Sequence, residues 1–244
     1  MVYRVCLEIG YDGGWVFARL PDFWGCISKE KTRESALEKL PDSIRIYLSW
    51  LKTHGVEVPD SNEIKVDIVE VFKPFRVGDY EVNAFFEADR PPLSQEEVLT
   101  GIQKMEWSRQ DLLRKTSQLP QEILDRKLDN RRSIRENLEH IATAEWWYLT
   151  RINLSLPSLK TFPQSASLAG GWESMKGSAS GFEKMRAIRE LAIERLSNLT
   201  DEERSRVTTH SSEEWSARKV LRRFLEHERE HIQSIEHLLK KEGR

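Results

Sequence analysis

The feature that most limits how this chain folds is a change of period at Pro91-Pro92. Ahead of it stretches of one-by-one apolar alternation flank a single helical stretch, and behind it apolar residues recur at three-and-four spacing. Two adjacent prolines suit neither a helix interior nor a sheet ladder, so Asp89-Arg-Pro-Pro-Leu-Ser94 reads as a linker. The expected organisation is an α+β domain over 1–88, a linker over 89–94 and an all-α four-helix bundle over 95–244.

In the first part, Tyr3, Val5, Leu7 and Ile9 alternate with polar or small residues, as on a half-buried strand. Gly10 to Gly14 supplies a turn, Trp15–Leu20 a returning strand, and Phe23–Ile27 a third short one. From Thr32 to a stop at Gly55 the period becomes helical, with Pro41 expected to kink or divide that helix. Further strands are expected at Glu63–Val71 and Tyr80–Glu87, giving an antiparallel sheet with one main helix.

Beyond the linker, Ser94 with Glu97 and Ser133 with Glu136 fit the capping-box pattern that opens a helix. The first helix is expected from Gln95 to Ser117 with Val98, Leu99, Ile102, Met105, Leu112 and Leu113 buried, and the second from Ser133 to Asn153. Residues 155–178, rich in Ser, Gly and Pro, read as a long crossover loop that shapes a pocket. A third helix follows over Gly181–Asn198. The last, from Trp215 onward, buries Val220, Phe224, Leu225, Ile232, Ile235, Leu238 and Leu239.

That last helix carries the chemistry. Counting about 100° per residue from Val220, His227 and His231 fall at about −20° and 20°, on one edge of the buried arc. Two imidazoles one turn apart and turned inward suit one divalent metal. Glu228 falls inside the apolar arc, where an unpaired carboxylate is costly. It either orients a ligand histidine or acts as a base, or it pairs with an arginine from a neighbouring helix. His140 lies about 120° from the apolar stripe of its own helix and, taken alone, reads as a boundary residue.

Composition narrows the function. With 38 basic and 40 acidic residues in 244, the chain carries no electrostatic footprint for nucleic acid. No apolar run is long enough to cross a membrane, and no signal-peptide layout opens the sequence, so a cytoplasmic location is expected. Cys6 and Cys26 form neither a disulfide framework nor a zinc motif and read as packing residues. The loop serines Ser165, Ser167 and Ser174 lack a nucleophile-elbow pattern. Trp146, Trp147, Trp172 and Trp215 are candidates to wall a pocket above the metal.

Two resemblances add to this reading. Tyr3–Ile9, Asp12–Ala18, Leu20–Gly25 and the helix from Glu34 to Leu48 resemble the HicB antitoxin-like domain, which implies a partly RNase H-like fold and a protein partner. Such antitoxins usually carry a DNA-binding tail, and none follows here. Ser133–Glu145, Trp215–Leu221 and Leu225–His231 resemble the DinB four-helix bundle superfamily. That resemblance implies a divalent metal, zinc or nickel, on His140, His227 and His231. It further implies a transferase or isomerase that activates a low-molecular-weight thiol or water on a small-molecule substrate, in bundles that often form homodimers. The other class of function consistent with the two halves is a non-catalytic adaptor, binding a partner through its HicB-like domain, with the metal structural or absent.

His227-Glu228-Arg-Glu-His231 also satisfies the H-E-x-x-H pattern of zinc proteases. A third histidine at His237 reaches the metal only if the helix breaks before it. The pattern around Ser234 is continuous, and His237 falls near 260°, opposite the pair. The protease reading is therefore set aside.

Overall fold

The computed structural model describes residues 1–59, 63–128, 131–153, 181–241 and 243. The long loop expected over 155–178, with Ser165, Ser167, Trp172 and Ser174, lies outside the described residues. The chain divides into two compact units, Met1–Pro91 with Thr209–Trp215, and Pro92–Thr208 with Ser216–Arg244.

The first unit is built on a four-stranded sheet of order β3-β2-β1-β4, from strands β1 (Val2–Gly10), β2 (Trp15–Arg19), β3 (Ile27–Glu30) and β4 (Lys65–Phe72). β1 and β2 pair antiparallel across a turn in which Gly10, Asp12, Gly13 and Gly14 all have positive φ. Helix α1 (Arg33–Thr53) then carries the chain over the sheet, so β4 returns parallel to β1. The sheet is thus antiparallel-dominated with one parallel pair. Pro41 lies inside α1 and does not divide it.

One face of the sheet (Tyr3, Val5, Leu7, Val16, Ala18) packs on Ala36, Leu40, Ile44, Tyr47 and Leu51 of α1. The opposite face places Cys6 against Ala84 and Phe86. For that reason the strand expected over Tyr80–Glu87 stops early. β6 (Tyr80–Val82) pairs with β5 (Phe75–Val77), and the following residues are spent on burial rather than pairing. On this face Arg19 donates to Glu8 at 2.6 Å, and the other Glu8 oxygen accepts from the Ala84 amide at 2.7 Å.

Among the described residues of the second unit, four long helices form the bundle: α2 (Gln95–Thr116), α4 (Ile134–Asn153), α5 (Gly181–Ser197) and α7 (Ala217–Lys241). Two short helices, α3 (Gln121–Asp125) and α6 (Asp201–Ser205), lie between them in the chain. α2 packs on α7 and α5, and α4 packs on the same two, which closes the ring α2–α7–α4–α5. Both expected capping boxes are present. Glu97 N–H donates to Ser94 Oγ at 3.1 Å, and Glu136 N–H donates to Ser133 Oγ at 3.2 Å.

Two details differ from expectation. Leu99 is 58% exposed, because Val98, Ile102 and Met105 supply the inward stripe of α2. A short hairpin, β7 (Val207–His210) with β8 (Glu213–Ser216), lies in the stretch between the third and last expected helices and takes Trp215 and Ser216 from the start of the last one. Its turn places Ser211 and Ser212 at φ 49° and 68°, the two-residue left-handed geometry that normally selects Asn and Gly. Without those residues nothing in the sequence marks it.

Close packing of α2 on α7 rests on Gly101. A Cβ there would stand 2.5 Å from Leu221 Cδ2, inside any real carbon–carbon contact. No helix among the described residues is long and apolar enough to cross a membrane.

Candidate metal centre

α7 brings His227 and His231 to the α4 side of the bundle, where the capping box at Ser133 sets the start of α4 and hence the height of His140. His227 and His231 are 7% and 5% exposed, and His140 is half-buried. The His227 Nε2 atom lies 3.2 Å from His140 Nε2 and 3.2 Å from His231 Nε2. The three ligand nitrogens all fall within 4.8 Å of one another. The three histidines expected to share an ion are therefore brought together in space.

Three facts test whether an ion fits. Two nitrogens bound to one tetrahedral metal, at bonds of about 2.0–2.1 Å, stand about 3.3 Å apart. The 3.2 Å separations match that spacing. Burial foremost, then the charges of His231, His140, Arg223 and Arg132, pushes His227 well below its ordinary value, so the ring is neutral. A neutral imidazole is the form that coordinates. Finally, His227 Nδ1 is buried without a hydrogen-bond partner, so the described polar contacts of the ring all lie on its Nε2 side, toward His140 and His231. The donor set suits a divalent cation.

Around the histidines the α4–α7 contact is a polar seam. His231 Nδ1 lies 2.7 Å from Asn137 Oδ1, one turn before His140. Two turns after His140, the Tyr148 ring meets His227 edge-on at 5.9 Å, and its hydroxyl accepts from Arg223 at 3.0 Å. Asn137 and Tyr148 were not expected. The signal for Asn137 was its spacing, three before His140 and so on the same helix face. The tryptophans are less central than expected. Trp147 carries Arg151 over its ring at 3.8 Å and touches Tyr148, while Trp146 is half-buried on the same helix. Trp215 is buried and belongs to the first unit.

Glu228 goes elsewhere. Its carboxylate accepts from Arg109 Nε at 2.5 Å and from Arg189 Nη2 at 3.1 Å, and no hydrogen bond to a histidine is among its described contacts. Glu145 accepts from the same two arginines. The quartet takes one residue from each long helix: Arg109 (α2), Glu145 (α4), Arg189 (α5) and Glu228 (α7). Each arginine also reaches a backbone carbonyl across the bundle, Arg109 to Met185 and Arg189 to Met105. Burial alone would raise the Glu228 carboxyl, but the two guanidiniums outweigh it and hold the group below its ordinary value. The arginine pairing read as one alternative for Glu228 is the contact observed. His237 is exposed on an unbroken α7, far from protease geometry.

Comparison with known proteins agrees with this architecture. A family model described as the DinB superfamily matches residues 104–235. The N-terminal part is similar to the UPF0150 protein Ta0767 of Thermoplasma acidophilum, 31% identical over 68 residues that cover 28% of this chain and 97% of that protein. No solved structure matches.

Proposed function

The chain belongs to the DinB superfamily, and from that premise we propose that its bundle is a metal-dependent enzyme acting on a small molecule by transfer or isomerisation. The observation that carries this reading is the convergence of three buried-side Nε2 atoms at metal-sharing distance. His140, His227 and His231 hold the ion. Zinc or nickel there would supply a Lewis acid that lowers the pKa of a thiol or water toward neutrality. A low-molecular-weight thiol is the proposed co-substrate.

The chain's own residues have separable tasks. The three imidazoles bind, and Asn137 contacts one of them. Phe224 packs on Tyr148, and Tyr148 on His227, which puts aromatic rings on the N-terminal side of the α7 histidines. The Arg–Glu quartet ties the four helices that set the histidines' spacing. The test is a screen of zinc-loaded and nickel-loaded protein with a thiol panel and a chromogenic electrophile, beside His227→Ala. Turnover above the uncatalysed rate by 100-fold or more, absent in the variant, is the expected result by the scale of metal and acid–base catalysis. Equal rates in both proteins would contradict it.

A second reading rests on a separate observation. The N-terminal similarity spans nearly the whole of a small protein, so that module exists without a bundle. This supports a HicB-like unit that binds a protein partner, with the chain acting as an adaptor. Pull-down with the full chain, with and without loaded metal, separates the two: capture of a stoichiometric partner together with absence of turnover favours the adaptor.

A further inference from the structure

We propose that Asn137 is a positioning residue that fixes the tautomer of His231 and thereby sets the strength of the metal site; this rests on the three-histidine reading above. The argument runs from the helix start inward. The Asn137 side chain is buried, 3% exposed, in the first turn of α4. Its Nδ2 lies 2.8 Å from the Ser133 carbonyl and 3.2 Å from the Arg132 carbonyl. Both are pure acceptors, so the amide NH2 must point at them, and the flipped amide would set oxygen against oxygen. The Ser133–Glu136 capping box holds those carbonyls in place.

With the amide oriented, Oδ1 faces His231 Nδ1 at 2.7 Å. An amide oxygen only accepts, so Nδ1 carries the hydrogen. A neutral imidazole has one N–H, so Nε2 then presents a lone pair, and that is the atom 3.2 Å from His227 Nε2. His231 is thus held in the tautomer a metal requires before any metal arrives. His227, one turn away, has no such support: its Nδ1 is buried and unpartnered. Two histidines on one helix therefore differ in kind: His231 is pre-set through Nδ1 by Asn137, and the described polar contacts of His227 are to the other two imidazoles through Nε2. A partner that orients a ligand imidazole and raises its basicity typically contributes 10–100-fold in metal affinity.

The experiment has two readouts on the full-length chain. Long-range nitrogen–proton NMR of metal-free protein at mildly alkaline pH reports the His231 tautomer. Competition with a chromophoric chelator reports the zinc Kd. Wild type should show a single Nδ1–H tautomer at His231. Asn137→Leu should mix the tautomers and weaken zinc binding 10–100-fold. Asn137→Asp keeps an oxygen that accepts from Nδ1–H and should keep the tautomer, while its second oxygen faces the Ser133 and Arg132 carbonyls and should lower the Tm. An Nε2–H tautomer in the wild type overturns the proposal, as does an Asn137→Leu variant that binds zinc as tightly as wild type. Should Asn137→Leu fail to fold by circular dichroism, Asn137→Ala takes its place with the same two expected results. If wild type takes up no zinc at all, the metal reading fails by itself, and the tautomer measured by NMR still decides whether Asn137 orients His231.

Discussion

Two polar clusters are buried in the same bundle, and they are finished to different degrees. The quartet of Arg109, Glu145, Arg189 and Glu228 balances two positive charges with two negative ones, and its surplus donors reach Met105 and Met185 carbonyls. The trio of His140, His227 and His231 sets nitrogen against nitrogen, with no carboxylate grouped with it among the described residues and the His227 Nδ1 atom buried and unpartnered. A buried polar group costs free energy unless it is paired. A cluster complete within the protein is thus a structural device, and the convergence of imidazole Nε2 atoms is the geometry on which the proposed metal centre rests. The sequence neighbours His227 and Glu228 fall on opposite sides of that division.

The largest effect expected from breaking the contrast is at the quartet. Glu228→Leu leaves two buried guanidiniums short of a partner and should cost about 3–5 kcal/mol in urea denaturation. Metal stoichiometry of the folded fraction should stay unchanged. His227→Ala should do the reverse. Bound metal disappears, while the metal-free protein loses only about 0.5–3 kcal/mol, the range of ordinary core truncations. Equal stability losses in the two variants would erase the distinction.

Smaller effects sharpen it. Gly101→Ala forces a methyl onto Leu221 and should cost about 1–3 kcal/mol by overpacking the α2–α7 contact, read as a lowered Tm. Ser133→Ala removes one capping-box hydrogen bond and should cost about 1 kcal/mol. It also loosens the carbonyls that orient Asn137, so zinc affinity should fall slightly where Gly101→Ala leaves it alone.

The pH dependence follows from Glu228. Its folded pKa is depressed, so the unfolded chain binds the proton first on acidification. The stability it contributes is fully present above the unfolded value of about 4.3 and is lost as pH falls through the folded value. Stability measured from pH 7 downward should therefore drop below that point in wild type, and less steeply in Glu228→Gln. Identical slopes would mean that the quartet does not hold the carboxylate ionised.

The sequence made some of this visible and hid the rest for physical reasons. His227 and His231 are four apart on one helix, and periodicity alone turned both inward. His140 carried no such signal, since one residue at the edge of a stripe is ambiguous. It was assigned only through the resemblance to DinB-like bundles. Glu228 was visible as a carboxylate in an apolar arc, but not its partners, because Arg109 and Arg189 are 119 and 39 residues away and pairing at that range is set by tertiary packing. Asn137 was hidden because its role depends on the acceptors around it rather than on its own type. The Ser211-Ser212 hairpin escaped because its turn lacks the glycine or asparagine that usually marks one.

The most direct test is metal content by mass spectrometry of full-length protein, prepared without chelator or histidine tag, beside His140→Ala and His227→Ala. Near-stoichiometric zinc or nickel in wild type, lost in both variants, is the predicted result. A folded wild type that holds none and takes up none when zinc or nickel is added would contradict the three-histidine centre.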